Sequence, residues 1–223
     1  MRDELDMEAI IKRGLYMQVK EYLPGLCFFK PLVFLLCLLP FAFYVSGALN
    51  QQLGPNPVET MIRGFGDWGI YFLLIGLSIS PARKIFNLNW LIQYRRMIGL
   101  FAFFYVCIHF TSYIWFEQFF DVQEIIKDII KRPFITIGFV CFLMLLPLAI
   151  TSTNAMMRRL KKNWMRLHKL VYPISILALL HYFMMTRADY LVPGLLLLIL
   201  SVLLGYRLIR TIKSHQAKNK AHT

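Results

Sequence analysis

Residues Trp164–Met185 read WMRLHKLVYPISILALLHYFMM. The stretch is long and apolar enough to cross a bilayer, which takes about 20 residues. It nonetheless carries two histidines, His168 and His181. An ionisable residue inside a span marks a functional site by default, because hydrocarbon solvates it badly. A third histidine, His109, stands in another apolar block. The three either hold a cofactor or tie helices together by hydrogen bonds.

Outward from this stretch the chain repeats the same texture. Of its 223 residues 58% are hydrophobic, above the half expected of a soluble domain, and the excess sits in blocks. Six spans are predicted, over residues 31–49, 65–80, 97–116, 133–150, 166–185 and 190–206. Pro31 and Pro133 stand where a proline naturally opens a helix. The second span is the weakest, being short and containing Asp67. Residues 1–30 carry five acids and lack the pattern of a signal peptide; Met7–Leu23 is read as a helix on the membrane surface.

Charge tests the six-span scheme. The net charge of +13 would suggest nucleic acid in a soluble protein, but here it lies between apolar blocks and reports topology. Twenty Lys and Arg fall in the N-terminal segment, the 2–3 and 4–5 loops and the tail. Five, namely Arg63, Lys127, Lys131, Arg132 and Arg187, fall on the other side. That bias puts both termini in the cytoplasm, and removing the second span would destroy it. The expected fold is therefore all-α: an integral membrane bundle of six transmembrane helices, N-in and C-in. Residues 1–30 form an extension, 31–210 the membrane domain and 211–223 a basic tail. Nucleic acid is excluded as a partner.

Other chemistries find no support. Cys27, Cys37, Cys107 and Cys141 lie in or beside apolar segments without CxxC spacing, so they read as small buried hydrophobes. No P-loop, GxGxxG or internal repeat stands out. His215 and His222 are solvated tail residues.

Orientation fixes the depth of the histidines. His109 and His181 fall in the outer halves of two parallel spans. Facing each other, they could give two imidazole nitrogens to one iron, with a haem between them. Two axial histidines leave no open site, so such a haem carries electrons. His168 lies 13 residues before His181, about 20 Å of helix rise and about 140° around a straight helix. Pro173 between them can rewind that helix. Opposite His168 stand Arg95 and Arg96, which cannot ligate iron but can pair with carboxylates such as haem propionates. They also serve the plainer role of positive-inside anchors.

A set of short motifs then brings a family into view. They are Gly54-Pro55-Asn56-Pro57-Val58, Ser80-Pro81-Ala82-Arg83, Arg95-Arg96-Met97-Ile98-Gly99-Leu100, His109-Phe110-Thr111-Ser112-Tyr113 and Arg132-Pro133-Phe134-Ile135-Thr136. Thr151-Ser152-Thr153-Asn154-Ala155-Met156 follows, leading to Trp164, His168, Tyr172 and His181-Tyr182. In order and spacing, over residues 31–210, the chain resembles the MsrQ (YedZ) family within the ferric-reductase-like transmembrane group. The resemblance implies haem b, and FMN as a further cofactor. It implies a bacterial inner membrane location and electrons passed from the quinone pool to MsrP, a periplasmic molybdopterin enzyme that repairs methionine sulfoxide in proteins. His109, His181 and His168 become the candidate iron ligands, and Arg95 and Arg96 candidate cofactor contacts. The chain is then an electron-transfer subunit rather than the catalytic one. A free-standing ferric or quinone reductase and a non-redox transporter or assembly protein are the competing readings.

Overall fold

The computed structural model describes residues 24–186 and 188–220. The expected surface helix over Met7–Leu23 lies outside them. Two compact units divide the chain, Met1–Ala42 and Phe43–Thr223. Six helices are long and apolar enough to cross a membrane, and no strand occurs among the described residues.

The first of these helices, α1 (Pro24–Leu49), runs through Pro31 and Pro40. Pro31 therefore does not open a helix, as the sequence suggested; it sits inside one already under way. Membrane helices tolerate such prolines because local adjustments and neighbours re-satisfy the freed backbone groups.

The second unit is a bundle. It contains α2 (Pro57–Ile85), a 3-10 turn at Asn89–Tyr94, α3 (Arg95–Ser112) and a π-helical turn at Tyr113–Glu117. Next come α4 (Val122–Lys131), α5 (Pro133–Ile150), α6 (Asn154–Leu160) and α7 (Lys162–Leu167). A 3-10 turn at His168–Leu170 leads to α8 (Val171–Met185), and α9 (Leu191–Lys220) closes the chain. The helix α9 extends well past residue 206, where the apolar block ends.

The weakest predicted span is the central one. Protein covers 56% of the most apolar stretch of α2, against 17–33% for the other five spans. A helix shielded from lipid needs no uniformly apolar surface, so α2 can carry Gly64, Gly66, Asp67 and Gly69. It packs against α3, α8 and α9. Phe72 stacks on Tyr105 with centroids 5.3 Å apart, and Trp68 and Phe101 extend the cluster between α2 and α3. On another face Ile70, Leu74 and Leu77 meet Leu179, Leu196, Leu200 and Leu203 of α8 and α9. Aromatic and branched side chains at this density supply packing where the hydrophobic effect between helices is absent.

Connectivity sorts the two ends of the bundle. At one end α2, α5 and α9 begin while α3 and α8 finish; His109 and His181 lie toward it. At the opposite end lie Arg95, Arg96, His168 and Arg207. The connection from α3 to α5 is itself structured. Asp121 caps α4, accepting from the amides of Gln123 and Glu124 at 2.9 and 3.1 Å. Asp128 is buried and accepts from Tyr113 Oη (3.1 Å) and Gln118 Nε2 (2.7 Å), and pairs with Arg132 Nε (3.1 Å).

Candidate functional site

His109 on α3 and His181 on α8 face each other, ring centroids 6.3 Å apart and planes at 75°. Each ring is held in the same way. His109 Nδ1–H donates to the carbonyl of Ile62 at 2.8 Å, and His181 Nδ1–H to that of Phe134 at 2.7 Å. Each carbonyl lies 47 residues before its histidine. A carbonyl can only accept, so the proton is on Nδ1 and the lone pair of each neutral ring is on Nε2.

Glycine makes this arrangement possible. One turn after Ile62 comes Gly66, and a Cβ there would stand 3.1 Å from His109 Nδ1. One turn after Phe134 comes Gly138, where a Cβ would stand 3.0 Å from His181 Cε1. Each imidazole stands against bare helix backbone at the glycine and bonds a carbonyl one turn earlier on the same helix. The carbonyl, glycine and histidine thus occur twice at matching intervals, once on α2 and α3 and once on α5 and α8. In the sequence no internal repeat stands out. The repeat is one of geometry, carried by backbone atoms and glycines, and leaves almost no trace in side-chain identity.

Two imidazoles in this state suit one metal ion. A metal–imidazole bond is about 2.0–2.1 Å and the ring centre lies about 1 Å beyond, so two ligands of one ion have centroids about 6 Å apart. The glycine cradles and the paired Nδ1–H donors match what histidine ligands need, a fixed tautomer and a fixed ring direction. His109 and His181 would suit an iron held between them, which would supply one-electron chemistry there.

His168 is arranged differently. It sits in the 3-10 turn between α7 and α8, stacked on Trp164 with centroids 4.0 Å apart. Thr151 Oγ1–H donates to Pro147 O at 2.5 Å, so the same oxygen accepts from His168 Nε2–H at 3.2 Å. Trp164 Nε1–H donates to Thr151 O at 2.9 Å. This cluster fastens the end of α5 to α7. His168 is near enough to Arg95 for the guanidinium to act on it, and it is not part of the facing pair.

The adjacent arginines also part company. Arg96 Nη1 donates to Asn154 Oδ1, bracing α3 against the start of α6. Arg95 turns inward, and its Nη1 donates to Ser80 Oγ on α2 at 3.3 Å. Two further residues deserve a place that sequence reasoning did not give them. Asp67 lies near Tyr182, the neighbour of His181, and so puts a carboxylate of α2 against α8 beside the pair. Its signal was its charge inside a span. Arg207, counted only as a topological charge, donates from Nη1 to Tyr172 Oη at 2.5 Å and from Nη2 to Leu77 O at 2.6 Å.

A bundle of span-length helices with two converging histidines defines a class, the membrane proteins that carry a metal cofactor between helices. Residues 65–179 match the profile described as "Ferric reductase like transmembrane component". The chain is 48% identical to the "Protein-methionine-sulfoxide reductase heme-binding subunit MsrQ" of Herminiimonas arsenicoxydans, over 88% of this chain and 90% of that protein. The proteins of the same name from Rhodospirillum rubrum and Polaromonas naphthalenivorans are 46% and 47% identical. They are matched over 83% and 85% of this chain and 89% and 86% of their own lengths. The chain belongs to the ferric-reductase-like transmembrane family and to its MsrQ members. No solved structure gives a significant match.

Proposed function

We propose that the chain is the haem-carrying membrane subunit of a methionine-sulfoxide reductase system. Electrons enter from the quinone pool and leave to a periplasmic molybdoenzyme of the MsrP type. The observation that carries the reading is the His109–His181 pair, each ring anchored through Nδ1 with its Nε2 lone pair unspent. A b-type haem held there supplies one-electron transfer; the chain's own part is to fix ligand direction, exclude solvent and set depth. The curated relatives' shared name, a haem-binding subunit, supports the same reading.

The twenty-to-five division of Lys and Arg supports an orientation with the arginine end in the cytoplasm of a bacterial inner membrane. The histidine pair then lies toward the periplasm, nearer the enzyme that receives the electrons. His168 serves the fold through Thr151 and Trp164 and is not one of the two axial ligands.

The test is spectroscopic. The purified chain is expected to show a haem Soret band, and its reduced form to be reoxidised by the periplasmic enzyme with methionine sulfoxide. His109→Ala and His181→Ala are each expected to remove most of the haem. A chain without the band, or a band surviving in the double variant, defeats the assignment.

A further inference from the structure

The connection between α3 and α5 turns an apolar surface outward that no described residue covers. Trp115, Phe119 and Phe120 are 57%, 81% and 59% exposed in the turns that lead to α4. Val122, Ile126 and Ile130 continue the surface along α4, each more than half exposed. The backbone imposes this presentation. Phe119 and Phe120 are held at φ +46° and +62°, in the left-handed region that bulky side chains avoid. Phe120 N donates to Ile114 O at 3.1 Å and Asp121 N to Gln118 O at 2.7 Å, which keeps the turn closed. Trp115 packs on the Phe120 ring with centroids 5.7 Å apart. The rotation of α4 is fixed as well. Asp128, on the opposite side of the helix, is buried and holds Tyr113, Gln118 and Arg132, so the apolar stripe cannot turn inward.

We propose that residues 115–130 form a wedge seated in the surface of the bilayer, in the leaflet at the histidine end of the bundle. Position, length and composition select lipid over a protein partner. The segment starts where one candidate span, Asn89–Glu117, finishes, and it stops just before the next, Pro133–Ile150. Its apolar surface therefore continues the exposed apolar sides of those spans, such as Val140 and Leu143. The helix α4 rises about 15 Å, half of a hydrocarbon core of about 30 Å, so it cannot cross and must run along one face. Its stripe is narrow, with the Glu124–Lys127 ion pair on its flank, Lys131 and Arg132 at its end and aromatic rings beside it. That is the pattern of a helix lying in a membrane interface. A face made for a soluble partner would stand bare in water until the partner arrived, whereas lipid covers this one throughout.

The wedge joins the two halves of the histidine site. Tyr113 stands one turn after His109, and Arg132 stands two residues before Phe134, whose carbonyl holds His181. Both side chains close on Asp128. Seating in the bilayer thus steadies the connection that spaces the pair, whatever the pair binds.

Nitroxide labels test the seating on the full-length holoprotein in nanodiscs of phosphatidylethanolamine and phosphatidylglycerol. Phe119→Cys, Ile126→Cys, Ile130→Cys and Glu124→Cys are labelled one at a time, and the signal of the labelled wild type is subtracted. Circular dichroism checks that each labelled chain keeps its helicity. Collisions with oxygen, which concentrates in hydrocarbon, are compared with collisions with a water-soluble nickel chelate. The oxygen-to-nickel ratio is expected to be severalfold higher at 119, 126 and 130 than at 124. Equal ratios at the four sites overturn the proposal. So does free nickel access at 119, 126 and 130 that only an added soluble partner protein removes, since the face would then be a protein docking site. None of these outcomes depends on the Soret band, so the wedge and the haem assignment fail separately.

Discussion

Two glycines set the direction of two histidines. Gly66 and Gly138 let His109 and His181 rest against helix backbone at distances that a methyl group would invade. An alanine in a helix interior gains about 1 kcal/mol over glycine, so Gly138→Ala should not weaken α5 itself. It should tilt His181 away from Phe134 O. Gly138→Ala, and more strongly Gly138→Val, is therefore expected to lower haem occupancy while helicity by circular dichroism is kept. Gly66 should behave likewise toward His109. His168 gives the contrasting outcome. His168→Ala is expected to keep the Soret band and lose thermal stability, because Thr151 Oγ1 and the face of Trp164 lose their partner. Loss of the Soret band in that variant would restore His168 to the ligand set.

At the scale of elements, α4 and the turns before it form a rigid connection. Its acids Asp121, Glu124 and Asp128 do not make one open acidic surface. Asp121 instead caps the helix, and Asp128 is 7% exposed, holding Tyr113, Gln118 and Arg132. One exposed stripe of α4 is apolar, with Val122, Ile126 and Ile130 one turn apart beside the exposed Glu124–Lys127 pair. Asp128→Ala would leave a hydroxyl, an amide and a guanidinium without an acceptor. A loss of about 2–3 kcal/mol follows, read as a melting temperature lower by about 5–10 °C. A surface carboxylate would produce almost no shift. Span five also differs from its expected form. It is α7, a 3-10 turn and α8 in succession, so the 140° separation of His168 and His181 expected of one straight helix does not apply. The break lies before Pro173, which stands in the first turn of α8, where a missing amide hydrogen costs nothing.

For the whole molecule, the separation of acid from base along the bundle is the main electrostatic fact. Among the described residues the acids collect at the histidine end, and Arg95, Arg96 and Arg207 lie at the other. Reporter fusions test the orientation that this implies. A phosphatase active only outside the cytoplasm should work when fused in the connections at Gln52 or Glu124. It should be silent at Asn87 or Lys161. The reverse pattern would put the histidine pair on the cytoplasmic side and remove the periplasmic route for electrons.

The sequence by itself determined the fold class, because a span must be long, apolar and internally hydrogen bonded, and six stretches met that demand. It also singled out His109 and His181, since ionisable groups inside apolar blocks are few and matched depth makes them partners. Tertiary structure decided the rest. Hydropathy undervalues a helix that protein rather than lipid surrounds, so α2 read as the weakest span and stands at the centre. Backbone carbonyls have no sequence signature, so the anchors at Ile62 and Phe134 could not be read. The Trp164–Met185 stretch presented two histidines of one residue type. Only their neighbours, a bare helix carbonyl and the facing His109 for His181, and a threonine hydroxyl and an indole face for His168, separate the paired ring from the unpaired one.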